Sequence, residues 1–231
     1  MLSTDKIRAI SLDLDDTLWP IKPIMVNAER VLQAWFRAHA PSTAKLCEQP
    51  GLQARVRAEV VARYPGQSHN MGMLRLEMIR ALLSQAGDDA AMAESAFELF
   101  HAERQRVQFF EDALPALERL SQRWPLIAVS NGTADLVQTG LSAYFRAGVS
   151  AHVFGVAKPD PRIFEEAARL AGVEVAQVLH VGDDAELDGK GALQSGMQAA
   201  WINRFDHPWT HTAAPHVEVK ELLALCDALG V

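Results

Sequence analysis

From about Phe110 to its end the chain alternates short apolar runs with amphipathic segments, and few architectures satisfy such a pattern. "PLIAVS", "QVLHVGD" and "MQAAWIN" are nearly continuous hydrophobic runs of strand length. "ALPALERLSQRW", "PRIFEEAARLAG", "ELDGKGALQSG" and "KELLALCDALG" place apolar residues at a helical spacing. A further short strand is expected at "HVF". Strands that are apolar on both sides and alternate with helices predict a parallel sheet covered by helices on both faces.

One more strand is expected well upstream, over Ile7 to Asp13, where it stops at an acid cluster. The stretch between reads as helices only. Ile24, Ala28, Val31, Leu32, Trp35 and Phe36 share one helical face, and "LQARVRAEVVARY", "GMLRLEMIRALLSQAG" and "AMAESAFELFHAERQRV" follow, with breaks at "PST", "YPGQSHN" and "GDD". The expected organisation is an α/β, Rossmann-like parallel core from residues 1–20 and 109–231, with an all-helical insert over 21–108.

Composition narrows the partners. A net charge of −7 on 231 residues argues against general nucleic-acid binding and against docking on an anionic membrane. No apolar run reaches the roughly 20 residues of a membrane span, and the first residues lack the pattern of a signal peptide. Cys47 and Cys226 form no ligand cluster and read as reduced thiols. A cytoplasmic protein is expected; the oligomeric state is not specified.

Four polar clusters each follow an expected strand: "DLDDT", "SNG", "AKPDP" and "GDDAELD". Ligands of open parallel sheets bind beyond the carboxyl ends of the strands, so these clusters are expected to be neighbours. Asp13, the backbone carbonyl of Asp15, and Asp183 are hard oxygen ligands of the kind Mg²⁺ prefers. Lys158 is a point cation suited to phosphate. Ser130 brings a hydroxyl, and the N–H groups of Asn131 and Gly132 lead into a predicted helix start, an anion site. Asp184 and Asp188 are expected to support the cluster, Asp188 by orienting either Lys158 or the waters of the metal. A cation and a lysine would offset the crowding of Asp13, Asp15 and Asp16.

Singly, each cluster is most simply a turn or a cap; their joint order is what carries the reading. Other motifs carry less. "DGKGA" lacks the residues a Walker loop needs. His207, His211 and His216 read as surface residues, His180 as a satisfied core histidine, and Met71, Met73 and Met78 as packing.

The four clusters resemble the motifs of the haloacid dehalogenase superfamily, specifically its magnesium-dependent phosphatases with a helical cap. That resemblance implies Asp13 as the nucleophile that forms an aspartyl-phosphate and Asp15 as general acid/base. It also implies Ser130 and Lys158 on the transferring phosphoryl group and Mg²⁺ on Asp13, Asp15 and Asp183. "ISLDLDDTLWP", "RWPLIAVSNG" and "LHVGDDAELDGKGALQSGMQAAWI" are further similar to bacterial flavin mononucleotide phosphatases, which also act on a phosphorylated riboflavin precursor. The expected partner is thus a small phosphorylated metabolite. Trp19 would offer a flat surface at the mouth of the site, and His69, Asn70 and Arg75 polar contacts from the insert. Alternatives of other classes are a phosphate-transferring mutase, a dehalogenase using the same aspartate, or a phospho-accepting signalling domain.

Overall fold

The computed structural model describes residues 2–231. The chain divides into two compact units, Met1–Pro20 with Gln108–Val231, and Ile21–Val107.

In the first unit, β1 (Ala9–Leu12) is followed, after the second unit, by α6 (Ala113–Ser121), β2 (Leu126–Ser130), β3 (Phe145–Ser150) and α7 (Ala151–Phe154). Then come α8 (Pro161–Ala171), β4 (Val178–Gly182), α9 (Gly191–Ser195), β5 (Gln198–Ile202), β6 (Val217–Val219) and α10 (Leu222–Leu229). The six strands form one sheet in the order β3-β2-β1-β4-β5-β6, with every pair parallel. Chain order runs outward in both directions from the β1/β4 pair, so the carboxyl ends of these two strands flank the switch point where such sheets bind ligands.

The inner strands β1, β2, β4 and β5 are buried at every position, which is why they read as apolar runs. Helix α8 starts at Asp160, whose side chain accepts from the Arg162 N–H, with Pro161 in the first turn. It buries Ile163, Phe164, Ala167, Ala168 and Ala171 against residues of β1, β2 and β4. A fully buried residue of the size of Ile or Phe contributes about 1.5–3 kcal/mol. The helix is therefore held by this face, not by its exposed Arg169–Glu166 pair.

Several sequence expectations are corrected. "HVF" lies in the one-turn helix α7, and the strand precedes it as "FRAGVS". This is an edge strand with an alternating burial pattern, so Arg146 is tolerated on it. The three-residue edge strand β6 was not expected at all. "ELDGKGALQSG" is a wide π-type turn over Ala185–Lys190 running into α9, not one regular helix.

The second unit is helical: α1 (Ile21–His39), α2 (Pro41–Leu46), α3 (Leu52–Arg63), α4 (Met71–Ala86) and α5 (Ala93–Arg104). The break expected at "PST" falls one residue earlier, at Ala40 between α1 and α2, and Pro41 opens α2, because proline suits the first helical turn. Ala28, Leu32 and Phe36 of α1 pack with Ile79, Leu83, Ala96 and Phe100 of α4 and α5. A smaller cluster joins Val56 and Val60 of α3 to Met78 and Leu82 of α4. Among the described residues no helix is long and apolar enough to cross a membrane.

The two passages of chain between the units are fastened to each other within the first unit. The Phe110 N–H donates to the Leu18 carbonyl at 2.9 Å, and Trp19 meets Phe109 edge to face, with ring centroids 5.6 Å apart.

Candidate active site

Asp13 is the first residue after β1, and its N–H still donates to the Val181 carbonyl of β4 at 2.9 Å. The sheet ladder thus fixes the backbone of this carboxylate. Asp16 then adopts a left-handed backbone, φ 58°, and its N–H returns to the Trp19 carbonyl at 2.7 Å, closing a tight loop. An aspartate tolerates this conformation better than most residues. The same loop brings the Thr17 hydroxyl within 3.2 Å of Asp183 and 3.4 Å of Asp13. Thr17 is buried, and its single proton serves one carboxylate at a time.

Asp183 follows β4, with its carbonyl held by the Trp201 indole N–H at 2.7 Å. Lys158 is buried, and its ammonium donates to both Asp13 and Asp188, the latter at 2.6 Å. The Asn131 carboxamide fixes the backbone behind it, accepting from the Lys158 N–H at 2.8 Å and donating to its carbonyl at 3.0 Å. Asp188 also accepts from His180 Nε2 and from the Asp184 N–H, both at 3.1 Å. An added Cβ at Gly182 would collide with Asp188, so only glycine allows this approach.

The charges of the site are unequally settled. Burial disfavours ionised Asp188, but Lys158 and His180 outweigh it and hold the acid down at about 2. Burial likewise works against the Lys158 cation, yet Asp13 and Asp188 push its pKa above the usual lysine value. Burial raises Asp13 to about 7 even with Lys158 opposing it. Asp183 is raised to about 8, by burial first and then by the Asp13 and Asp188 charges. Asp13 and Asp183 are therefore short of positive charge.

Carboxylate oxygens of Asp13, Asp183 and Asp188 lie within 4.8 Å of one another, a group that could hold a metal ion. Because Asp188 already accepts from three donors, the unmet demand falls on Asp13 and Asp183. Hard oxygen donors with unmet negative charge fit a small divalent cation. Ligation must displace their protons. The gain in Tm that Mg²⁺ gives over a chelator should be small near pH 5, grow through pH 7 and level off above about pH 8. Melts across that range check it, and a pH-independent gain would place the ion elsewhere.

The structure assembles some of the expected residues and reassigns others. Asp13, Lys158, Asp183 and Asp188 meet. Lys158 does not directly follow a strand, since α7 intervenes. The Gly132 N–H, expected to face phosphate, donates to Ser130 Oγ at 2.9 Å, and the Asn131 side chain is taken by Lys158. Asp184 turns outward and caps the following turn, accepting from the N–H groups of Glu186 and Leu187. Trp19 presents no face for stacking, being 0% exposed; its indole N–H donates to Asp15 Oδ1 at 2.8 Å. In the helical unit Asn70 caps α4 by accepting from the Met73 N–H. Arg75 pairs with Glu29 at 2.6 Å and lies over the Phe100 ring, and His69 is half-buried.

His180 is buried as expected, but its partners were missed. Ser11 Oγ lies 2.8 Å from Nδ1, and the Nε2 side faces Asp188. The signal was available: Ser11 and His180 are polar residues inside two apolar strands, and they are register partners.

Residues 7–196 match the model of the haloacid dehalogenase-like hydrolases. The chain belongs to that family. It is 31% identical over 232 residues to the 5-amino-6-(5-phospho-D-ribitylamino)uracil phosphatase YigB of Escherichia coli, covering 97% of each chain. It is also 31% identical to a phosphoserine phosphatase of Thermus thermophilus, covering 96% of this chain and 100% of the relative. Among solved structures, a protein described as a 2-haloacid dehalogenase from Pseudomonas syringae superposes with a TM-score of 0.91 at 34% identity, covering 97% of this chain and 98% of that one.

Proposed function

We propose that the chain, a phosphatase of the haloacid dehalogenase-like family, hydrolyses a small phosphorylated metabolite in two steps with Asp13 as the nucleophile. The observation that carries this reading is the buried lysine shared by Asp13 and Asp188, with Asp183 still short of positive charge beside them. Asp13 attacks phosphorus, and the electron pair of the breaking P–O bond goes to the leaving oxygen, which takes a proton from Asp15. Water then attacks the same phosphorus and gives a proton to Asp15, while the acyl-phosphate bond breaks and its electrons return to the Asp13 carboxylate. Lys158 stabilises charge on the transferring group and is held in place by Asp188 and Asn131. Ser130 receives the Gly132 N–H and keeps its own O–H to donate to a phosphoryl oxygen. Asp13, the Asp15 carbonyl and Asp183 would hold Mg²⁺, which neutralises phosphate charge when bound.

The identity to the ribitylaminouracil phosphatase supports a phosphorylated riboflavin precursor, or flavin mononucleotide, as substrate, and we place the enzyme in the cytoplasm. A dehalogenase is the second reading, favoured by the description of the similar solved structure. Halide displacement needs no proton donor for a leaving oxygen and no metal, so Asp15 and the electron-rich Asp13–Asp183 pair speak against it.

A panel tests both readings. Ribityl phosphates and flavin mononucleotide should be hydrolysed at least about tenfold better in kcat/KM than phosphoserine or phosphoglycolate. EDTA should silence the reaction and Mg²⁺ restore it, whereas Ca²⁺ should not. Chloride release from 2-chloropropionate without phosphate release from any ester would overturn the phosphatase reading in favour of the dehalogenase.

A further inference from the structure

We propose that Arg204 is a positioning residue for the metal site, which keeps the Thr17 hydroxyl between Asp13 and Asp183. The inference rests on the proposal that Asp13 and Asp183 hold Mg²⁺. Arg204 lies two residues beyond β5, where the Asn203 N–H still donates to the Val219 carbonyl of β6 at 2.8 Å, so its backbone is anchored in the sheet. The guanidinium donates to both oxygens of buried Asp112, at 3.1 and 3.0 Å, and lies over the Phe110 ring, 4.0 Å from its centroid. Asp112 is itself fixed by the Leu222 N–H at 2.6 Å. A planar fork held at both tines keeps one orientation, and its Nη2 also donates to the Thr17 carbonyl at 2.9 Å. The other side of the same peptide is held too, since the Leu18 N–H donates to the Leu14 carbonyl at 2.8 Å. Thr17 therefore cannot turn without breaking one of these bonds, and its hydroxyl stays 3.2 Å from Asp183 and 3.4 Å from Asp13. The shared hydroxyl keeps the two carboxylates side by side in advance, so less ordering is left for metal binding to do. Without Arg204 the loop holds this geometry for only part of the time, and the apparent affinity for Mg²⁺ falls by that fraction.

A buried ion pair such as Arg204–Asp112 also stabilises the fold, so the decisive readout is Mg²⁺ titrated into metal-free protein by calorimetry, with melting beside it. Arg204→Met should raise the Kd for Mg²⁺ about tenfold, as the loss of groups that orient metal ligands does. At saturating Mg²⁺ its kcat should stay within about threefold of the unmodified value, since the carboxylates are then held by the ion. Thr17→Val keeps the side-chain shape without the hydroxyl, and in that background Arg204→Met should add less than about twofold to the Kd. Should Arg204→Met fail to fold, its combination with Asp112→Asn leaves no unpaired charge and keeps an acceptor for the Leu222 N–H. Measured against Asp112→Asn alone, that combination should again weaken Mg²⁺ about tenfold. An unchanged Kd with a lowered Tm would make the arginine purely structural, and a full loss in the Thr17→Val background would mean that it acts by another route. Either result overturns the inference. An unmodified protein that takes up no Mg²⁺ would instead overturn the metal site on which it rests.

Discussion

Asp13→Asn is expected to abolish phosphate release and at the same time to make the metal-free protein more stable. The activity loss should be about 10⁴-fold or more, because an amide keeps the shape of the nucleophile and loses its lone-pair charge. The stability gain follows from the burial that raises the Asp13 pKa to about 7, above the ordinary aspartate value of 3.8. For an acid shifted upward, the folded state binds the extra proton between those two values, so folding stability falls as pH rises through that window. The ionised residue is then a burden at pH 8, and a neutral amide removes it. Melts in chelator at pH 8 should show a higher Tm for Asp13→Asn than for the unmodified protein, with the difference vanishing near pH 4. Turnover above a trace would sink the covalent mechanism, and an unchanged Tm would mean that Asp13 is not the strained charge the structure describes.

Lys158→Met should lose activity as well, but with the opposite effect on stability. Removing this electrostatic contact from the transferring phosphoryl group should cost about 10²- to 10³-fold in kcat. It also strips Asp13 and Asp188 of their shared buried cation. Breaking a buried pair on one side costs about 3–5 kcal/mol, on the order of 10 °C in Tm for a chain of this size. Both carboxylates would then move upward in pKa, so the deficit should be greatest at pH 8 and shrink as they protonate towards pH 5. Mg²⁺ should recover part of it at pH 8. A Lys158→Met protein that melts normally in chelator would show that the lysine does not carry the charge balance of the site.

How much of this was legible without coordinates depends on the kind of information. The inner strands were readable because a strand covered on both faces must be largely apolar, as "AISL" and "LIAVS" are but for one serine each. The edge strands were not: "FRAGVS" alternates and carries an arginine, and "VEV" is three residues long. The acidic clusters were visible because chemistry at the ends of parallel strands leaves polar residues directly behind hydrophobic runs. Their partners were harder to read, because a hydrogen bond such as Asn131–Lys158 joins residues 27 positions apart and neither residue stands out from its loop. Trp19 shows the limit most plainly. Its adjacency to the acid loop suggested an open aromatic surface, and only the closed loop through Asp16 turns the ring inward to meet Asp15.

The hydrogen bond between Phe110 and Leu18 has a meaning for the history of such chains. It sets the two ends left by the inserted helices side by side, at a point where the first unit is already stitched by its own backbone and by the Trp19–Phe109 contact. A gene could therefore lose, enlarge or exchange the stretch Ile21–Val107 without asking any strand of the sheet to move. The machinery built on β1 and β4 and the helices inserted between β1 and α6 are then free to evolve at different rates, as a tool and its interchangeable attachment do.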